Sequence, residues 1–98
     1  MTVLVIGRGP QVVASVVRAL HDHAFESVGV TENADAAAHM AAGSATALVI
    51  GGGVDRRSRH ALKRAAKAAG VTVIQGALGN RDVRGYVRDE LVPLLRQS

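Results

Sequence analysis

A chain of 98 residues has room for one hydrophobic core and not for two. It has no cysteine, which excludes disulfides, thiolate metal sites and thiol nucleophiles and fits a reducing, cytoplasmic setting; no apolar run approaches the roughly 18 residues of a membrane span. Apolar residues make up 48% of the chain and aromatics only 2%, so Val, Leu, Ile and Ala must form the core, and the net charge of +4 is divided between −2 in residues 1–50 and +6 in residues 51–98.

The chain opens on Met1-Thr2-Val3-Leu4-Val5-Ile6, which lacks the basic flank and cleavage site of a signal peptide and reads instead as a strand buried on both faces, closed by Gly7. Pro10 suits the first turn of a helix, and Val13, Val16, Val17, Leu20 and Ala24 follow the spacing of one helical face. Ser27-Val28-Gly29-Val30-Thr31 is a weaker second strand. Asn33 is placed to cap an Ala-rich helix over Ala34 to Ala42, with Asp35 near its positive end and Gly43 as its stop. Ala47-Leu48-Val49-Ile50 is the third strand and runs into Gly51-Gly52-Gly53. Either Asp55 or Ser58 can cap the next helix, whose inner side is Leu62, Ala65, Ala66 and Ala69 and whose stop is Gly70. Val71-Thr72-Val73-Ile74 is the fourth strand. Asn80 can cap a last helix with Val83, Val87, Leu91 and Leu94 inward, and Pro93 should leave its final turn kinked or separate.

Alternating strands and helices with continuous apolar strands predict an α/β fold: a four-stranded parallel sheet covered on both faces. Right-handed crossovers leave few orders. An order with the first strand at an edge would expose the most apolar one, so 2-1-3-4 is expected, a three-layer αβα sandwich of the flavodoxin or Rossmann type. The last helix then packs beside the first.

Ligands of such sheets bind beyond the carboxyl ends of the strands where the order reverses, here between the first and third. The loops there are Gly7-Arg8-Gly9-Pro10 and Gly51-Gly52-Gly53-Val54-Asp55-Arg56. Glycine backbone, a helix start and an arginine in each loop suit a phosphate or carboxylate, although glycines also serve simply to turn the chain off its strand. Gly7, Arg8, Gly9 and Gln11 partly match the dinucleotide fingerprint, with Glu32 near the ribose-binding acid, but Val12 replaces the third glycine. The candidate anion or nucleotide site is therefore Gly7, Arg8, Gly9, Gln11, Glu32, Gly51, Gly52, Gly53, Asp55 and Arg56.

Size, alternation and strand lengths make the chain resemble a response-regulator receiver domain over most of its length. The receiver's paired acids after strand 1 are replaced by Gly7-Arg8-Gly9, its phospho-accepting Asp by Ile50-Gly51-Gly52, and its Thr or Ser after strand 4 by Gln75-Gly76; the fifth strand and its lysine are missing. Without carboxylates there is no Mg²⁺ site and no acyl phosphate. The resemblance thus implies a shortened pseudo-receiver, a regulatory or protein-binding scaffold without aspartyl phosphorylation. Residues 33–75 also resemble the strand–helix–strand segment of the kink-turn-binding ribosomal proteins, which implies RNA binding, but those chains begin with a helix where this one begins with a strand.

Arg56, Arg57, Arg59, His60, Lys63, Arg64 and Lys67 fall on the side of the third helix opposite Leu62 and Ala66. They form either a solvated outer face or a docking face for an acidic partner, with Arg57, His60, Lys63, Arg64 and Lys67 as its candidate residues. Two aromatics give few platforms for bases, so a protein partner is favoured over nucleic acid; backbone-only binding to a duplex would depend strongly on salt. His21 and His23 point apart, His39 and His60 are isolated, and no serine sits in a nucleophile setting. No catalytic residue, metal site or cofactor is expected. The fourth strand is an edge without a blunting charge, which predicts a homodimer or hetero-complex through the side of that strand and the last helix.

Overall fold

The computed structural model, which describes residues 2–75 and 82–97, runs β1 (Thr2–Ile6), α1 (Pro10–Asp22), β2 (Glu26–Val30), α2 (Asn33–Ala41), β3 (Ala47–Ile50), α3 (Arg56–Ala69), β4 (Thr72–Gln75) and a C-terminal helix. That helix has three continuous parts: α4 (Val83–Tyr86), a π-helical turn (Val87–Leu91) and α5 (Val92–Gln97). The sheet is wholly parallel in the order β2-β1-β3-β4, the flavodoxin-like arrangement expected from the strand pattern.

Alternation along the two central strands divides the core. Val3, Val5, Ala47 and Val49 point to the face covered by α1 and the C-terminal helix. Leu4, Ile6, Leu48 and Ile50 point to the face covered by α2 and α3. Leu4 pairs with Val28 on one side and Leu48 on the other, so the most apolar strand lies inside the sheet. Each fully buried aliphatic side chain stabilises the fold by about 1.5–3 kcal/mol, which explains why so few aromatics suffice. No described helix is long and apolar enough to cross a membrane.

Several local features differ from the sequence expectation, and Ala69, expected on the inner side of α3, is exposed. Ala24 does not extend the buried face of α1, which ends at Asp22; it adopts a left-handed conformation at φ 66°. Its amide donates to the His21 carbonyl and that of Phe25 donates to Leu20, the paired bonds of a Schellman turn in which glycine is usual. Asn33 is the first residue of α2 and not its cap, a position taken by Glu32 without a side-chain bond. In the C-terminal helix the buried residues are Tyr86, Val87, Leu91, Val92 and Leu95, while Leu94 is 45% exposed. A π turn uses about one residue more than an α turn, so it advances the inward position from 94 to 95. It ends two residues before Pro93, whose ring crowds the carbonyl of Asp89 four residues back; widening the turn absorbs that clash without ending the helix. The expected cap Asn80 lies outside the described residues, and Asp82 caps α4 by accepting a bond from the Gly85 amide.

Gly29 marks where α1 lies against the sheet. A Cβ there would stand 2.4 Å from Val13 Cγ1 and 3.0 Å from Val17 Cγ2, and both partners are stiff β-branched side chains. Gly29→Ala should lower the unfolding free energy by about 1–3 kcal/mol, read from the urea midpoint. Ala24→Gly should raise it by up to about 1 kcal/mol, because the left-handed strain disappears. A stabilised Gly29→Ala protein would contradict the close helix–sheet contact.

Candidate functional site

At the carboxyl ends of the strands the two glycine loops meet, as the topology requires. The Gly51 amide donates to the Ile6 carbonyl at 2.8 Å, and a Cβ on Gly51 would lie 3.3 Å from that oxygen. A crevice of about 330 Å³ opens there between Gly7, Arg8 and Gly9 on one side and Gly51, Gly52 and Gly53 on the other. Its remaining wall is apolar, made by Val5, Val12, Val13, Val16, Val49 and Tyr86. Six of the ten expected anion-site residues thus line one cavity. Gln11, Glu32, Asp55 and Arg56 do not line it and are exposed.

The two arginines nearest this end of the sheet face protein oxygens. Arg8 donates to the Thr31 carbonyl at 2.6 Å and to Asn33 Oδ1 at 2.8 Å, and lies 3.8 Å from the Asp55 carboxylate. Asn33 in turn donates from Nδ2 to Ser58 Oγ at 2.8 Å. Asp55, the N-cap of α3, accepts from the Ser58 amide at 3.1 Å, which decides between the two caps that the sequence allowed. One polar network therefore clamps together the starts of α2 and α3 and the loop after β1. Hydrogen bonding from Ser58, hydroxyl and then amide, holds the Asp55 carboxyl below its usual range, with the Arg8 charge adding to the effect.

Arg59 belongs to this end of the molecule and not to the outer face of α3. Its Nε donates to the Val54 carbonyl at 2.8 Å and its two terminal nitrogens donate to the Gly51 carbonyl at 2.6 Å and to Gln75 Oε1 at 3.0 Å. A planar guanidinium with fixed donor directions can bridge three acceptors in this way, and a lysine could not. The sequence gives no sign that Arg59 differs from its neighbours beyond its position: it is three residues before Leu62, at the border of the buried face. Asn33 and Ser58 are likewise read from sequence only as caps, and Val12 and Tyr86 only as apolar residues.

An anion in the crevice would compete with Asp55 and the Thr31 carbonyl for Arg8, and Asp55 already occupies the positive end of α3. The arrangement suits an apolar or neutral group better than a phosphate. Among the described residues no three histidine, aspartate or glutamate side chains converge as metal ligands.

Arg57, His60, Lys63, Arg64 and Lys67 are all exposed, as is Arg56. None of these six is paired with an acid among the described residues. Arg56, His60, Lys63 and Lys67 form a stripe along α3 at intervals of four, three and four, spanning about 16 Å, with Arg57 and Arg64 beside it.

Ser58→Ala should let the Asp55 carboxyl titrate at a higher pH, followed by its NMR shift. Because the folded value is depressed, Asp55 contributes stability that is fully present above the unfolded value of about 3.9 and is lost as pH falls through the folded one. That pH-dependent part should shrink in the variant; an unmoved titration would refute the network. Arg59→Ala should cost about 2 kcal/mol, since carbonyls bonded to a charged donor are left without it. No family model, curated protein or solved structure matches this chain, so its function rests on the geometry of these sites.

Proposed function

We propose that this chain is a non-catalytic regulatory or protein-interaction module of receiver-like architecture, which docks an acidic protein surface on the outer face of α3. The unpaired stripe of Arg56, Arg57, His60, Lys63, Arg64 and Lys67 carries the reading. Five lysine and arginine side chains, with His60 among them, stand on a single helix, while the two other arginines nearby are engaged by hydrogen bonds to protein oxygens. Such a face raises the encounter rate with an acidic partner and sets its orientation. Nucleic acid is the weaker fit. Tyr86 is buried and Phe25 is partly buried in the core on the opposite side of the sheet, so α3 offers a base only the His60 ring to stack on.

A second reading, a nucleotide or other phosphorylated small molecule in the crevice, is favoured by the convergence of the two glycine loops and opposed by the engagement of Arg8. The two readings separate by experiment. In nuclease-treated lysate the tagged protein should retain an acidic protein, and R57E/R64E should reduce that capture at least tenfold with an unchanged melting temperature. Equal capture by the variant would overturn the docking face. Nucleotides and inorganic phosphate should leave the melting temperature of the wild type unchanged; a rise that Arg8→Ala abolishes would move the function to the crevice.

A further inference from the structure

The glycines around the crevice do not all have the same cause. A Cβ on Gly7 would stand 3.1 Å from Val13 Cγ2, and one on Gly51 would stand 3.3 Å from the Ile6 carbonyl oxygen, so close packing accounts for both. Gly9 and Gly53 are different. Gly9 has φ −93° and ψ 110°, and Gly53 also lies outside the left-handed region, so neither conformation requires glycine. Among the described residues a Cβ on Gly9 would meet only Val12, at 3.7 Å, and one on Gly53 only Arg8 Cβ, at 3.9 Å; both are ordinary contacts. Gly9 is moreover the N-cap of α1, where serine or aspartate would bond an open amide and glycine makes no such bond. Folding alone thus favours a side chain at both positions, because glycine adds freedom to the unfolded chain.

What the two positions share is the crevice. Gly9 belongs to one of its loops and Gly53 to the other, and the atoms that their Cβ would meet, on Val12 and Arg8, belong to its walls. Side chains there would narrow the space from both sides. At about 330 Å³ it stands at the small end of the roughly 300–1,000 Å³ typical of small-molecule sites. Its described lining carries no carboxylate and no cation except Arg8, whose guanidinium is turned to Thr31, Asn33 and Asp55. Val12, 47% exposed, also lines it, and a ligand that covered this side chain would be stabilised by the apolar area removed from water. Bare peptide planes on two sides let a flat molecule approach the backbone closely.

We propose that the crevice binds a neutral, flat, mainly apolar molecule of one or two rings, held between the loops at residues 7–9 and 51–53 against Val12 and Val16. A phosphate or carboxylate is excluded from this class because it would have to draw Arg8 away from Asp55 and the Thr31 carbonyl. The site is separate from the outer face of α3, and its test does not depend on docking there.

Indole and coumarin, both neutral two-ring molecules, serve as probes, titrated into the ¹⁵N-labelled full chain. Both should saturate and move the amides of Gly9, Val12 and Gly53 ahead of those on α3. Inorganic phosphate should move none of these three. G9S/G53A should fold, melt at or above the wild-type temperature, and bind both probes more weakly by about tenfold or more. V12S, at an exposed position, should weaken them in the same direction, and R57E/R64E should bind them as the wild type does. Absence of saturable binding by either probe, shifts scattered over the surface, a saturable response of Gly9 and Gly53 to phosphate, or unchanged affinity in both crevice variants would each overturn the proposal. If G9S/G53A melts well below the wild type, its two glycines are structural and V12S decides: unchanged affinity overturns the site, and a loss of binding sustains it.

Discussion

Everything in this fold depends on covering a parallel sheet on both faces. β1 and β3 have no polar side: successive residues point to opposite faces, and both sets are buried aliphatic side chains. A helix layer on each face follows from that, and with it crossovers that return every strand in the same direction. The close seat of α1 on Gly29 and the packing of Leu62 and Ala66 beneath α3 are details of the same requirement. Because the strands are parallel, their carboxyl ends gather on one side of the molecule, and so do the loops that could hold a ligand.

What those loops do with their polar groups changes the meaning of the net charge. Two arginines that a count would assign to a free binding surface are bonded to protein oxygens within the loop layer. Arg8 holds the turn into α2 and neutralises Asp55, and Arg59 satisfies carbonyls at the mouth of the glycine loop. Buried or half-buried carbonyls in tight loops lack sheet partners, and a guanidinium supplies several donors at once. The positive charge left for a partner is therefore concentrated on one helix, which makes the surface more directional than the overall composition suggests.

The sheet order and helix positions were legible because they rest on long periodic patterns: Val3 to Ile6 and Ala47 to Ile50 as two-sided strands, and Leu62 and Ala66 as a helical stripe. The glycine loops were also placed correctly, since topology alone brings the ends of the first and third strands together. The direction in which a long side chain turns was not legible. Whether Arg8 faces a ligand or the Thr31 carbonyl depends on residues 23 to 47 positions away, and no local pattern encodes that. The same holds for Asn33, which looks like a cap because it precedes an alanine run, but bonds to Ser58 across the loop layer. Ala24 and Leu94 failed for a different reason. A left-handed alanine and a widened helical turn each break the ideal period of 3.6 residues that the reading assumes.

That widened turn has a consequence for how the C-terminal segment can change in length. The π turn is equivalent to one residue inserted into an α-helix between Val87 and Val92. A chain lacking one residue among 88–90 would return the helix to its ordinary period and still carry the side chain of Leu95 into the core, now at a spacing of seven from Val87. It would also bring back the clash of Pro93 with the carbonyl four residues earlier. The extra residue and the proline are a compensating pair, so a shorter helix is viable only where the proline is lost with it.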